Sequence, residues 1–111
     1  MNWNKYGAKK TEIDGIVFDS QKEAMRWCEL MLMIRAGEIC NLDRQVKIEI
    51  VPKTDKYRAM HYIADFRYYD KKTQRFVYED VKGCRKGLAY QLFRLKKAIV
   101  YWRYGIDIQE V

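Results

Sequence analysis

The sequence predicts an α/β domain whose elements follow the order hairpin, helix, three strands, helix and strand. Two stretches have helical periodicity and end at a glycine, and the residues between them alternate as strands do. With 111 residues, one proline and six glycines, the chain has the composition of a globular protein with a single core. We therefore expect one domain over residues 1–111, with residues 1–10 as a flexible arm.

The first helix is predicted over residues 21–36. Ser20 and Glu23 form an S-x-x-E capping box, and Gly37 supplies the stop. Before it, Asp14-Gly15 between apolar residues predicts a hairpin over residues 11–18. Glu23 heads the apolar stripe of this helix, where an acid is costly unless it is paired or binds something. It is therefore either a cap that bonds back to Ser20 or an acid that leans over the sheet.

Strand patterns and a second helix fill the rest of the chain. We expect a connection over residues 38–43, a strand over residues 44–51 that Pro52 ends, a hairpin over residues 60–82 and a last strand over residues 106–110, at or near an edge. The second helix, residues 88–104, has an apolar stripe that we expect to face the core and a polar side that we expect to face solvent. The stripe consists of Leu88, Leu92, Leu95, Ile99 and Trp102, and the solvent-facing side of Tyr90, Arg94, Lys97 and Tyr101.

The hairpin of residues 60–82 carries the acids of greatest interest. If its loop is the four residues 71–74, Asp65 lies across from Asp80, whereas a change of one residue would pair Asp65 with Glu79. Opposed like charges are destabilising, and a divalent cation such as Mg²⁺ would compensate for them. Lys82 shares the face of Asp80, where its ammonium would position water or neutralise charge on a phosphate. The alternative is an exposed hairpin with ordinary surface charges.

The positive charge of the chain is concentrated in residues 81–106. Lysine and arginine number 22 against 15 acids, a net charge of +7, and this segment holds seven bases and no acid. Such a segment is typical of polyanion binding, although a solvated basic helix without a partner has the same pattern. Basic groups interleaved with aromatic ones suit phosphate contact and base stacking. We predict nucleic-acid contacts by Arg85, Lys86, Tyr90, Arg94 and Lys97.

Several other classes of protein do not fit the sequence. Cys28, Cys40 and Cys84 are odd in number and lack ligand spacing, which argues against a disulfide framework and a structural zinc site. His61 is the only histidine, so triad or dyad catalysis would have to depend on it. The chain has neither an apolar run of the ~20 residues that cross a bilayer nor the apolar core of a signal peptide. We expect an intracellular protein with no membrane partner.

The order of these elements resembles the αβββαβ core of the PD-(D/E)xK nuclease superfamily, the restriction-endonuclease-like fold. That resemblance implies a mixed central sheet flanked by two helices, here with an extra N-terminal hairpin. The likeness runs from Tyr6 to Val111, with Ala64 replacing a proline that supplies no ligand. Five runs resemble small phage-encoded nucleases akin to the endonuclease subunit of heteromeric transposases and to archaeal Holliday-junction resolvases: FDSQKEA, LDRQVKIEI, YIADFRYYD, VYEDVKG and YGIDIQEV.

The resemblance also implies roles for individual residues. Asp65 matches the first aspartate of the motif, Asp80 its second acid and Lys82 its lysine. Glu23 matches the helix glutamate, and Gln45 a glutamine that supports the site. In such enzymes the three acids hold one or two Mg²⁺ or Mn²⁺ ions, and water attacks the phosphate in line to leave a 5′-phosphate.

The expected function is therefore a metal-dependent DNA endonuclease of phage replication or recombination, with branched-DNA or nicking activity, in the cytoplasm of a bacterial host. The expected partners are DNA and either a second copy of the chain or a phage complex. Two alternatives are a non-catalytic nucleic-acid-binding module and a phage interaction protein on the same fold.

Overall fold

A four-stranded mixed sheet and two helices form the framework of the protein. The computed structural model describes residues 9–111, so the predicted flexible arm lies outside the described residues except for Lys9 and Lys10. Its elements are β1 Thr11–Ile13, β2 Ile16–Phe18, α1 Gln21–Arg35, β3 Ile39–Val51, β4 Met60–Asp70, β5 Arg75–Asp80, α2 Gly87–Tyr104 and β6 Gln109–Glu110. β1 and β2 pair as the predicted hairpin, and the sheet has the order β3-β4-β5-β6. The prediction of an α/β fold with a mixed sheet is confirmed.

Both helices begin and end for reasons visible in the sequence. Ser20 caps α1, because its Oγ accepts a hydrogen bond of 3.1 Å from the backbone N–H of Glu23. Gly105 ends α2 in the left-handed conformation, with a φ of 70°, and its N–H donates to the carbonyl of Tyr101. Neither helix is long and apolar enough to cross a membrane, a statement that covers residues 9–111.

β3 is longer than the sequence predicts. The expected connection over residues 38–43 is wrong, because β3 begins at Ile39, which pairs with Asp70 of β4. The pairing then shifts register between Cys40 and Asp43, and Asn41 has a positive φ of 55°. Such a bulge interrupts the alternation of side chains, which hides the strand from a search for period two.

The register of the central hairpin agrees with a four-residue loop. Asp70 pairs with Arg75 and Phe66 with Glu79, so the next position along each strand brings Asp65 opposite Asp80. The alternative pairing of Asp65 with Glu79 is thereby excluded. β6 lies at the sheet edge, as predicted, and runs parallel to β5, but it spans only two residues instead of the predicted five.

Two apolar clusters meet at Asp65. One cluster packs around α1 and contains Phe18, Ala24, Leu30, Ile39, Phe66 and Tyr68, and the other packs around α2 and contains Ile48, Ile50, Tyr62, Ala64, Phe93, Val100 and Ile108. Along β4 the buried positions change from the second cluster to the first between Ala64 and Phe66. Gln45, which faces Asp65 on β3, has a φ of +52°, a conformation that interrupts the regular pleat.

The face of α2 that packs on the sheet differs from the predicted one. Its buried residues are Phe93 and Val100, with Tyr90 packed beside them, whereas Trp102 is 82% and Leu88 81% exposed. The apolar stripe that was predicted to face the core is thus largely exposed to solvent, and Tyr90, from the side predicted to face solvent, packs on the core. Period 3.6 identifies an apolar stripe but not the side that meets the sheet, and α2 carries two such stripes.

Candidate active site

Four acids line one pocket at the junction of the two clusters: Asp19, directly before the cap of α1, and three acids from separate elements. This acidic pocket has a volume of about 590 Å³, and Glu23 from α1, Asp65 from β4 and Asp80 from β5 all contribute to its wall. Lysines stand beside the acids: Lys9, Lys22, Lys82 and Lys86. The structure therefore brings together the three predicted acids and the predicted lysine.

Asp65 is held by the end of β5. The backbone N–H of Val81 donates a hydrogen bond of 2.8 Å to its Oδ2. Burial, and after it the negative charge of Asp80, raise the pKa of Asp65 to about 8. At neutral pH Asp65 therefore mostly keeps its proton, because its ionised form would be buried beside the negative charge of Asp80.

Asp80 has a partner for each carboxylate oxygen. The residue is 6% exposed, the hydroxyl of Tyr62 donates to its Oδ2, and the ammonium of Lys82 lies 3.1 Å from its Oδ1. The Lys82 ammonium also lies 3.7 Å from the centre of the Phe93 ring, a cation–π arrangement that holds it beside the pocket. The site thus combines two opposed acids with one fixed cation.

Glu23 adopts the second of its two expected positions. Ser20 caps α1 by accepting from the backbone N–H of Glu23, but the buried Glu23 carboxylate leans over the sheet instead of bonding back to Ser20: it accepts a hydrogen bond of 3.3 Å from Nε2 of Gln45 and lies 3.9 Å from Arg44. Burial raises the pKa of Glu23, Asp19 raises it further and Arg44 opposes the rise. Gln45 therefore contacts the helix acid, as a supporting residue would.

The fit of these residues to a cation can be judged from their chemistry. Within residues 9–111, no three or more acid, histidine or cysteine side chains are arranged as a ready-made metal site. Mg²⁺ needs fewer, since it is commonly held by one or two carboxylates together with waters and substrate phosphate. The opposed pair Asp65 and Asp80 fits that requirement, with Glu23 as the third acid in the same pocket.

A buried ion pair beside the site was not predicted from the sequence. Glu79 is 2% exposed, and the Arg26 guanidinium donates to both of its oxygens, at 2.8 and 2.6 Å. Tyr68 donates a third hydrogen bond of 2.5 Å to the same carboxylate. This network ties α1 to β5 one residue from Asp80. Its sequence signal is weak: alternation places Glu79 on the opposite face from Asp80 but does not name a partner.

The predicted nucleic-acid-binding residues do not all face the same way. Tyr90, Arg85 and Lys97 converge on Glu110 of β6, at 2.8, 3.4 and 3.3 Å. Lys86 lines the acidic pocket, as Tyr90 also does, and Arg94 is exposed on α2. Glu110 was missed because the basic segment itself contains no acid, and the partner comes from the last strand.

Comparison with known proteins gives a family but no activity. The chain matches no curated protein and no solved structure. A family model described as "Protein of unknown function (DUF1064)" matches residues 3–109, which is nearly the whole chain. The protein therefore belongs to the DUF1064 family.

Proposed function

We propose that the protein is a metal-dependent DNA endonuclease with a restriction-endonuclease-like fold, which hydrolyses phosphodiester bonds in phage replication or recombination. The observation that carries this proposal is the opposition of Asp65 and Asp80 inside a pocket that also holds Lys82, 3.1 Å from Asp80. Buried like charges destabilise a sheet, so a structural role alone does not account for them.

Asp65 and Asp80 would hold the cation, with Glu23 as an additional ligand or as an acceptor for a bound water. One or two Mg²⁺ or Mn²⁺ ions supply Lewis acidity and a water of lowered pKa at such a site. Lys82 neutralises charge that grows on a phosphate oxygen, and its contact with Phe93 keeps the ammonium oriented before substrate arrives. Gln45 and Arg44 hold the Glu23 carboxylate in the pocket.

The fold and the charge of the chain support a nucleic-acid substrate. The order helix, three strands, helix and strand, with a mixed sheet, is consistent with the restriction-endonuclease-like core that we propose. A net charge of +7 draws a polyanion, and Lys9, Lys22 and Lys86 stand at the pocket that contains the acids. Bound cations would convert the pocket from one that repels phosphate into one that binds it.

A second candidate is a non-catalytic nucleic-acid-binding module on the same fold. The ion pair between Lys82 and Asp80 favours it, because the lysine already neutralises one of the two acids without any metal ion. This candidate predicts salt-sensitive DNA binding with no cleavage under any divalent cation. An interaction protein of phage assembly would instead show no DNA affinity at moderate salt.

A cleavage panel tests the proposal. Linear, nicked, flapped and four-way DNA are incubated with the protein in Mg²⁺ or Mn²⁺, with Asp80→Ala and Lys82→Ala as variants and Asp55→Ala, in an exposed loop, as the matched control. We expect losses of at least about 10²-fold at the two site positions and none at Asp55. Equal residual cleavage in all four proteins would show contamination. A measurement of mass accompanies the panel, because resolving a junction needs two sites about a twofold axis.

A further inference from the structure

The acids can be reached from two sides. A second cavity, of about 330 Å³, opens beside α2 and shares Asp65, Asp80 and Lys82 with the acidic pocket. Its other walls include Lys96 and Leu92 of α2 and Ile63 of β4. The acids therefore lie between two openings and not at the bottom of a blind pocket.

Such a geometry suits a polymer and not a small phosphate ester. A phosphodiester inside a nucleic acid has chain on both sides, so a strand placed over Asp65 and Asp80 must continue away from them in both directions. The acidic pocket, with Lys22 and Lys86, provides one direction, and the cavity beside α2 provides the other. Successive phosphates of one strand lie about 3.4 Å apart along a duplex axis. A positively charged side chain in each of the two cavities can therefore contact a phosphate that flanks the reacting one.

Lys96 supplies positive charge in the cavity beside α2. Among the bases of α2, Lys97 is paired with Glu110 and Arg103 with Glu49, whereas Lys96 forms no ion pair within residues 9–111. Arg94 also lacks an ion pair in that part of the chain, but it lines neither cavity. The half-exposed side chains of Ile63 and Leu92 add an apolar wall that can contact sugars or base faces without reading sequence.

We propose that a nucleic-acid strand crosses the site from the acidic pocket to the cavity beside α2, and that Lys96 binds a phosphate on the far side of the acids from Lys86. This inference rests on the proposed function for the role of the acids, but it concerns binding and not cleavage. It assigns to Lys96 a contact that the sequence pattern assigned to Arg94 and Lys97.

The test is a salt titration of DNA affinity. Binding of a labelled duplex is measured by fluorescence anisotropy in Ca²⁺, because the pocket without a divalent cation would repel phosphate, and salt is varied between about 50 and 200 mM, the range over which phosphate contacts change affinity strongly. Each lost phosphate contact lowers the slope of log K against log salt by roughly 0.9. We expect that decrease in Lys96→Ala, a larger one in Lys96→Glu, and less than half of it in Arg94→Ala, which removes the same charge from the same helix.

Equal slopes for Lys96→Ala and Arg94→Ala, or an unchanged slope in Lys96→Ala, would overturn the proposed path, as would absence of DNA binding by the wild-type protein. Thermal unfolding of each variant verifies that the fold is intact. The outcome is separable from that of the proposed function: a protein that shows the Lys96 effect but cuts nothing in Mn²⁺ retains the strand path and loses the nuclease assignment.

Discussion

Asp65 should make the protein without cations less stable as pH rises. Burial, and then the charge of Asp80, raise the pKa of Asp65 from 3.8 to about 8. Between these two values the folded protein keeps a proton that the unfolded chain releases, so the free energy of unfolding falls with increasing pH and the penalty is complete above about pH 8. At about 1.4 kcal/mol per pKa unit, the difference of about four units corresponds to at most about 6 kcal/mol.

The measurement is urea unfolding in EDTA at pH values from 5 to 9, followed by tryptophan fluorescence and compared between the wild type and Asp65→Asn. We expect Asp65→Asn to lose less stability across this range and to exceed the wild type at pH 9. Asp55→Asn, in the exposed loop after β3, serves as the control and should follow the wild type. If stability fell with pH in the same way for the wild type and for Asp65→Asn, the idea of a protonated Asp65 beside Asp80 would be refuted.

Mn²⁺ should take over the compensating role of that proton. Added at pH 8.5, it is expected to raise the free energy of unfolding of the wild type in proportion to the logarithm of its concentration, and to have a much smaller effect on Asp65→Asn. A cation effect of equal size in both proteins would place the binding elsewhere on the chain.

Three further predictions concern the surroundings of the site. Tyr62→Phe removes the hydroxyl that holds Asp80 and should weaken the Mn²⁺ affinity measured by calorimetry by about 10-fold or more. Tyr68→Phe, which removes a hydroxyl from Glu79 and not from Asp80, is the control and should leave the affinity unchanged. Equal effects of the two variants would contradict a positioning role for Tyr62. Arg26→Ala leaves the buried carboxylate of Glu79 without its guanidinium partner and should lower the free energy of unfolding in urea by about 3 kcal/mol. Adding Glu79→Gln to that variant should restore part of the loss. Phe93→Ala should cost about 3 kcal/mol or more and Leu92→Ala less than about 1 kcal/mol, and the reverse order would show that the predicted face of α2 is the packed one.

The parts of the fold that depend on local chemistry were predictable. The cap at Ser20, the stops at Gly37 and Gly105 and the four-residue loop of the central hairpin are short-range effects, and each leaves its mark in a few adjacent residues. The meeting of Asp65 with Asp80 follows from that loop length alone. The element order could thus be derived without tertiary information, and so could the register of β4 against β5 once a four-residue loop was assumed.

The parts that depend on long-range packing were not predictable. α2 has two apolar stripes, and only the position of the sheet decides that Phe93 is buried and Leu92 exposed. The gathering of Tyr90 and Lys97 around Glu110 likewise depends on a strand that returns to the sheet after the helix. In each case the missing information is the identity of the neighbour, which periodicity does not contain.

Two departures from ordinary folding rules lie beside each other at the acidic pocket. Gln45 adopts a left-handed φ that costs a non-glycine residue of order 1–3 kcal/mol, and it faces Asp65, whose pKa is raised by burial and by a second acid. Apolar or hydroxyl side chains at Asp65 and Asp80 would relieve the repulsion and leave the sheet intact. Natural sequences that agree with their fold elsewhere typically break local rules where they bind or catalyse. Because these costs lie around one pocket, they support the proposal that this pocket binds a cation.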